Sequence, residues 1–188
     1  MKRGRLIDYG IVVVVAIALA LLAQAYLVKP YRIPSESMAA TLRPGDRVLV
    51  NRVVYHLREP HRGDVMVFRY PEDRNVVFIK RIVGVPGDTL QVREGHLWVN
   101  GRPADEPYVR RTSGRSDPTA ASAPVAGSTM REPWSLARPY TVPADSFFVM
   151  GDNRTDSDDS RFWGTVPRTD IIGEGLVVYW PLGRWSAL

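Results

Sequence analysis

Val76-Val77-Phe78-Ile79-Lys80-Arg81-Ile82-Val83-Gly84 carries only two polar side chains, and both are cations. The β-branched and aromatic content marks the stretch as a strand. Strand alternation puts Lys80 on one face with Phe78 and Ile82, and Arg81 on the other with Val77, Ile79 and Val83. A lysine in a strand ordinarily faces solvent or sits at an edge. Here both faces are apolar, so one of the two cations is held among hydrophobic side chains. Burial favours the neutral amine. To act as a base near neutral pH, a lysine must fall from about 10.4 by roughly three units, which is about 4 kcal/mol. Arginine cannot be deprotonated in this range, so the buried base can only be Lys80.

Outward from this strand, other short β-branched and aromatic runs each follow a turn. Pro44-Gly45-Asp46 precedes Arg47 to Val50, Arg62-Gly63-Asp64 precedes Val65 to Phe68, and Pro86-Gly87-Asp88 precedes Thr89 to Val92. Arg62-Gly63-Asp64 thus reads as a turn, not an adhesion signal. Asn100-Gly101 is a two-residue hairpin signal beside Leu97-Trp98-Val99. Strands resume at Ser146 to Met150 and Leu176 to Trp180. Helical periodicity is absent from this part, and the fold class expected is mainly β, an antiparallel sheet. From Arg110 to about Arg138 the composition shifts to Ser, Thr, Ala, Pro, Gly and Arg. The expected organisation is a β-domain over 30–100 and 140–188, with a small β-rich subdomain or mobile polar loop over 101–139.

The first thirty residues read differently. Lys2, Arg3 and Arg5 precede an uncharged run from Gly10 to Val28. As a helix that run reaches roughly 28 Å, enough for a hydrocarbon core of about 30 Å. The basic start, the apolar run and Ala23-Gln24-Ala25 also fit a cleavable signal peptide. The apolar run continues through Tyr26, Leu27 and Val28, and Tyr26 and Lys29 suit a membrane interface, so a retained anchor is the expectation. Residues 1–9 would be cytoplasmic, 10–28 a single transmembrane helix, and everything after Pro30 extracytoplasmic.

Composition narrows the chemistry. The 188 residues contain no cysteine, which excludes disulfides, thiolate zinc sites and a cysteine nucleophile. A net charge of +5 could indicate nucleic acid, but the arginines are scattered, with no basic run beyond Arg110-Arg111. Anionic lipid explains the excess as well, and no nucleic-acid partner is expected. Gly151-Asp152-Asn153-Arg154-Thr155-Asp156-Ser157-Asp158-Asp159-Ser160-Arg161 invites a calcium reading. An EF-hand loop from Asp152 would need Gly and Glu where Ser157 and Trp163 stand, so that loop is rejected. No metal or cofactor is expected, and the segment reads as a turn braced by Asp–Arg pairs. A lone serine such as Ser37, in Ile33-Pro34-Ser35-Glu36-Ser37-Met38, is ordinarily a turn or cap residue.

Taken together the three segments carry a specific resemblance. Pro34-Ser35-Glu36-Ser37-Met38-Ala39-Ala40-Thr41-Leu42 resembles the P-S-x-S-M-x-x-T-L box of bacterial type I signal peptidases. Phe78 to Asp88 resembles that family's lysine box, and Gly151-Asp152-Asn153-Arg154 with Ser157, Asp159-Ser160-Arg161 and Trp163-Gly164 its third box. The boxes stand in order, and the likeness runs from the anchor almost to the end. It implies Ser37 as nucleophile, Lys80 as general base, and Ser35 with the Ser37 N–H as oxyanion donors. It implies that Ser157 orients the Lys80 amine and that Asp159 and Arg161 form a supporting ion pair which Arg81 joins. Ile33 and Ile79 are candidate walls of the pockets for an Ala-x-Ala site, and Met38 a candidate for the apolar surface beside them. The implied partners are signal peptides of exported preproteins, the lipid bilayer and a nearby secretion translocon, at the inner or plasma membrane. Three rivals stay open: a Ser-His-Asp hydrolase using His56, His61 or His96, a related Ser-Lys processing peptidase of pilus or conjugation type, and a non-catalytic membrane-anchored β-domain.

Overall fold

The computed structural model describes residues 8–18, 27–109, 136 and 138–188 of the chain. Its strands begin where the Gly-Asp turns end. In Arg43-Pro44-Gly45-Asp46, His61-Arg62-Gly63-Asp64 and Val85-Pro86-Gly87-Asp88 the third residue has φ of +93°, +96° and +84°, as a type II turn demands of glycine. Each aspartate N–H donates to the carbonyl of the first residue at 3.0, 3.2 and 3.0 Å. Its carboxylate accepts the first residue's own N–H at 2.8, 3.0 and 2.9 Å. One device, used three times, turns the chain and launches the next strand.

The strands are β1 (Val28–Arg32), β2 (Arg47–Asn51), β3 (Val65–Arg69), β4 (Val77–Gly84), β5 (Thr89–Arg93), β6 (His96–Val99), β7 (Arg102–Pro103), β8 (Tyr140–Thr141), β9 (Ser146–Met150), β10 (Val166–Pro167), β11 (Ile171–Trp180) and β12 (Ser186–Ala187). All pairings are antiparallel. The larger sheet runs β1-β2-β11-β3-β4-β9-β10, with β12 on β11, and the smaller runs β7-β6-β5-β8. The smaller sheet starts at Thr89, ahead of the residue 101 from which the sequence reading counted a subdomain. Asn100 and Gly101 have φ of 53° and 76°, the hairpin read from sequence; Glu94-Gly95 makes a second with 50° and 79°. Glutamate is not a residue that signals such a turn, so this second hairpin was not legible in advance.

Two sheets with apolar inner faces must bury them against something. Val83, Phe148 and Met150 of the larger sheet pack with Leu90, Leu97 and Val99 of the smaller. Ile33, Met38 and Leu42 plug a second cluster with Val48, Val50, Val65 and Val67. A fully buried side chain of this size contributes about 1.5–3 kcal/mol, so the segment carrying Ser37 is anchored from both sides by core residues.

The register of β4 matters most. It pairs with β3 from Val77 to Arg81, but with β9 only from Arg81 onward. Among the described residues, the other edge of Val77 to Lys80 has no strand partner.

Among the described residues the α-helices are few: α1 over residues 8–18, α2 (Val54–Leu57) and α3 (Ser160–Trp163). Among the described residues no helix is long and apolar enough to cross a membrane. Ala23-Gln24-Ala25 and the polar stretch 110–135 lie outside the described residues. Val28, read from sequence as the end of the span, instead pairs with Asn51 as the first residue of β1. The Arg52 N–H donates to the Leu27 carbonyl at 2.9 Å, so the sheet claims the chain from that point.

Candidate active site

The segment from Pro34 to Leu42 leaves β1 and returns to β2 as a short helical turn. The Ala39 N–H donates to Glu36 O and the Leu42 N–H to Met38 O, both at 2.8 Å. Met38 and Leu42 point into the core and hold the turn, while Ser35 and Glu36 remain exposed. Ser37 is between the two and is nearly buried.

Lys80 comes from β4, just before β9 closes its edge. Its Nζ lies 2.6 Å from Ser37 Oγ and 5.4 Å from the Phe78 ring centroid, and the residue is 4% exposed. Burial pulls the amine down to about 8, against the charges of Asp159 and Asp158, which push it up. A lysine that sheds its proton near 8 is a usable base close to neutral pH. Ser35 Oγ lies 3.2 Å from Ser37 Oγ. His56, His61 and His96 are all exposed, and the side chain on Ser37 is Lys80.

The third segment, after β9, braces both. Asp159 accepts from Arg161 Nε at 2.8 Å and Arg161 Nη2 at 2.9 Å, from the Gly151 N–H at 3.0 Å and from Ser157 Oγ at 2.7 Å. Burial pushes its carboxyl up, but Arg161 and these hydrogen bonds win and hold it below its ordinary range. Asp159 also caps α3 through the Arg161 N–H. The sequence reading had Ser157 orient the Lys80 amine; its hydroxyl instead goes to Asp159. Arg81 does not join that pair either. It holds Asp152 through Nε at 2.9 Å and Nη2 at 2.7 Å, donates to Gly63 O at 2.7 Å, and stacks 4.0 Å from the Tyr108 centroid. Opposite pointing of neighbouring strand residues is the reason: Lys80 and Arg81 cannot serve one cluster.

Asp152, Asn153, Thr41 and Gly151 escaped assignment from sequence. Thr41 Oγ1 donates to Asp152 Oδ2 at 2.5 Å, so Thr41, Asp152 and Arg81 tie the three segments together. Asn153 donates from its N–H to Ser37 O at 3.1 Å and from Nδ2 to Glu36 O at 3.2 Å. Those four residues stood inside the quoted motifs, which was the available signal. A Cβ on Gly151 would meet Ser157 Oγ and Ser37 O at 2.3 Å each. Gly151→Ala is therefore expected to push the Ser37 backbone aside and lower kcat/KM by roughly 10- to 100-fold, read by steady-state kinetics.

A cleft opens over the dyad between Pro34 to Ser37 on one side and Val76 to Lys80 on the other, with Asp156 and Asp158 at its margin. Ile79 lines it. Ile33 and Met38, expected at the pocket or surface, are core residues at 2% and 0% exposure and do not. Among the described residues no group of three or more acidic or histidine side chains is placed to hold a metal ion.

Comparison with known proteins gives the family. The family model described as signal peptidase, peptidase S26, matches residues 6–180. Signal peptidase I of Leptolyngbya laminosa is 39% identical over 92% of this chain and 79% of its own. Signal peptidase I of Pseudomonas aeruginosa is 36% identical over 100% of this chain and 78% of its own. The crystal structure of a signal peptidase I from Enterococcus faecalis superposes with a TM-score of 0.50 at 32% identity, covering 62% of this chain and 97% of that one. The chain belongs to the signal peptidase family, peptidase S26, whose members are serine endopeptidases.

Proposed function

We propose that the protein is a membrane-bound endopeptidase that removes N-terminal signal peptides from exported preproteins after an Ala-x-Ala-like site. Ser37 is the nucleophile and Lys80 the general base. The observation that carries this reading is the 2.6 Å contact between a buried lysine amine and a serine hydroxyl at the floor of a cleft. Lys80 takes the Ser37 proton as Oγ attacks the carbonyl before the scissile bond, then gives that proton to the leaving amine. It next deprotonates the water that frees the acyl-enzyme. Ser35 Oγ and the Ser37 N–H stabilise the oxyanion, a contribution of roughly 3 kcal/mol per well-placed donor. Asp159 and Arg161 hold the loop that packs behind the dyad, and Arg81 with Asp152 fixes the strand.

Substrate choice follows from the walls. The unpaired edge of Val77 to Lys80 can take an extended peptide as an added strand. Ile79 with Val76, Val77 and Phe78 gives an apolar lining that suits small apolar side chains. Membrane attachment is supported by the apolar run from Gly10 and by exposed Trp180, Leu182 and Trp185 on the β-domain. That topology puts the catalytic domain on the extracytoplasmic side, near the translocon that delivers its substrates.

The test is the mass of the products from a preprotein bearing Ala-x-Ala. Cleavage is expected after the second alanine, lost when that alanine becomes leucine, and absent with Ser37→Ala. Turnover by Ser37→Ala, or cleavage elsewhere, would contradict the proposal.

A further inference from the structure

Three carboxylates act on the Lys80 amine, those of Asp159, Asp158 and Asp152. Two of them are already committed: Asp159 to Arg161 at 2.8 Å and Asp152 to Arg81 at 2.7 Å. Asp158 differs. It is half-buried and lines the same cleft as Lys80. Its Oδ1 is sealed from solvent and closes no hydrogen bond among the described residues, and the same holds for the Trp163 indole Nε1. The indole faces the carboxylate and favours its ionised form, yet without a bond of normal geometry. The Trp163 indole is a neutral donor, so it offers this carboxylate no counter-charge. Burial drives the Asp158 carboxyl up, and among the charges around it Lys80 is the largest that holds it down.

We propose that Asp158 is a positioning residue for Lys80, whose carboxylate on the shared cleft stabilises the ammonium formed when the amine takes the Ser37 proton. In this role it sets the pH range over which the amine is free to act as base. The inference rests on the proposed reading of Lys80 as that base. The surroundings agree with it. Lys80 is faced by Asp159, Asp158 and Asp152 and, with the opposite sign, by Arg161. Asp158 is faced by Lys80 from β4, by Asp159, and by Glu72 from the turn between β3 and β4; Tyr70 on that side feels the Asp158 charge in turn. Removing Asp159 or Asp152 would strand a buried arginine. Removing the charge of Asp158 leaves both of those pairs intact and takes from Lys80 one of its three carboxylates.

The sign follows directly. A negative neighbour favours the ammonium, so its loss favours the neutral amine. With chemistry limiting, kcat/KM of Asp158→Asn should keep its alkaline rise but shift it acid-ward by about one pH unit, giving about tenfold faster cleavage on the acid limb. The 15Nζ resonance of Lys80 should titrate with the same displacement. Asp158→Glu should return the limb toward the wild-type position. Asp156→Asn, an exposed carboxylate on the same cleft, should leave the limb in place. A fall in kcat/KM at all pH values, with limb and resonance unmoved, would assign Asp158 a merely structural role and overturn the inference. If wild-type Lys80 did not titrate with the limb at all, the base assignment itself would fall, a result that is visible without the Asp158 variants.

Discussion

Replacing Lys80 with methionine is expected to lower kcat/KM by at least about 10⁴-fold, because the proposed mechanism has no second group to replace its general base. The same change is expected to make the fold more stable at pH 7. The unfolded lysine keeps its proton up to its ordinary 10.5, while the buried one releases it at about 8. Between those values the unfolded chain binds more protons, so wild-type stability rises with pH across that window. Below 8 the penalty for a buried ammonium is fully present, and the shift corresponds to roughly 3 kcal/mol. Methionine keeps the length and removes the charge. Urea unfolding at pH 7 should show the variant more stable, and the gap should narrow toward pH 10.5. A protein that loses activity while gaining stability would be the sign of a residue kept for chemistry.

The second large effect concerns Asp152. Its carboxylate is fully buried, takes two bonds from Arg81 and one from Thr41, and links all three motif segments. Asp152→Ala leaves the Arg81 guanidinium buried and unpaired, which is expected to destabilise the protein by about 3–5 kcal/mol. The Thr41 anchor of the nucleophile turn goes with it, so activity should fall as well. Removing both charges in Arg81→Met with Asp152→Leu should recover much of the lost stability, since the penalty belongs to the stranded charge and not to the pair. Thermal unfolding of the single and double variants distinguishes this from a simple loss of packing, which would add instead of cancel.

How much was legible beforehand depended on what each residue's neighbours in the chain could reveal. The strands around Arg47, Val65, Val77 and Thr89 were plain because alternation and Pro-Gly-Asp turns are local signals. The two cations of β4 were legible as a pair on opposite faces, and Lys80 as the odd one. What each cation would meet was not, because Asp152 and Asp159 arrive from about seventy to eighty residues away. Ser157 was expected on Lys80 and Arg81 on Asp159; Ser157 instead bonds Asp159 two residues on, and Arg81 reaches Asp152 in the third segment. Met38 and Ile33 looked available for substrate beside the nucleophile, yet a segment that crosses the sheet needs core plugs, and they serve as those. The end of the apolar N-terminal run was misplaced for a similar reason. Val28 is apolar enough to extend a span, but the edge of β2 offered it hydrogen bonds.

The most direct test of the account is the pH dependence of kcat/KM for the wild-type protein on an Ala-x-Ala preprotein, with chemistry shown to be limiting. The account predicts a rise toward alkaline pH governed by one ionisation near 8, matched by the titration of the Lys80 amine in the same protein. A profile flat between about pH 6 and 9, or a Lys80 amine that stays protonated through that range, would contradict it.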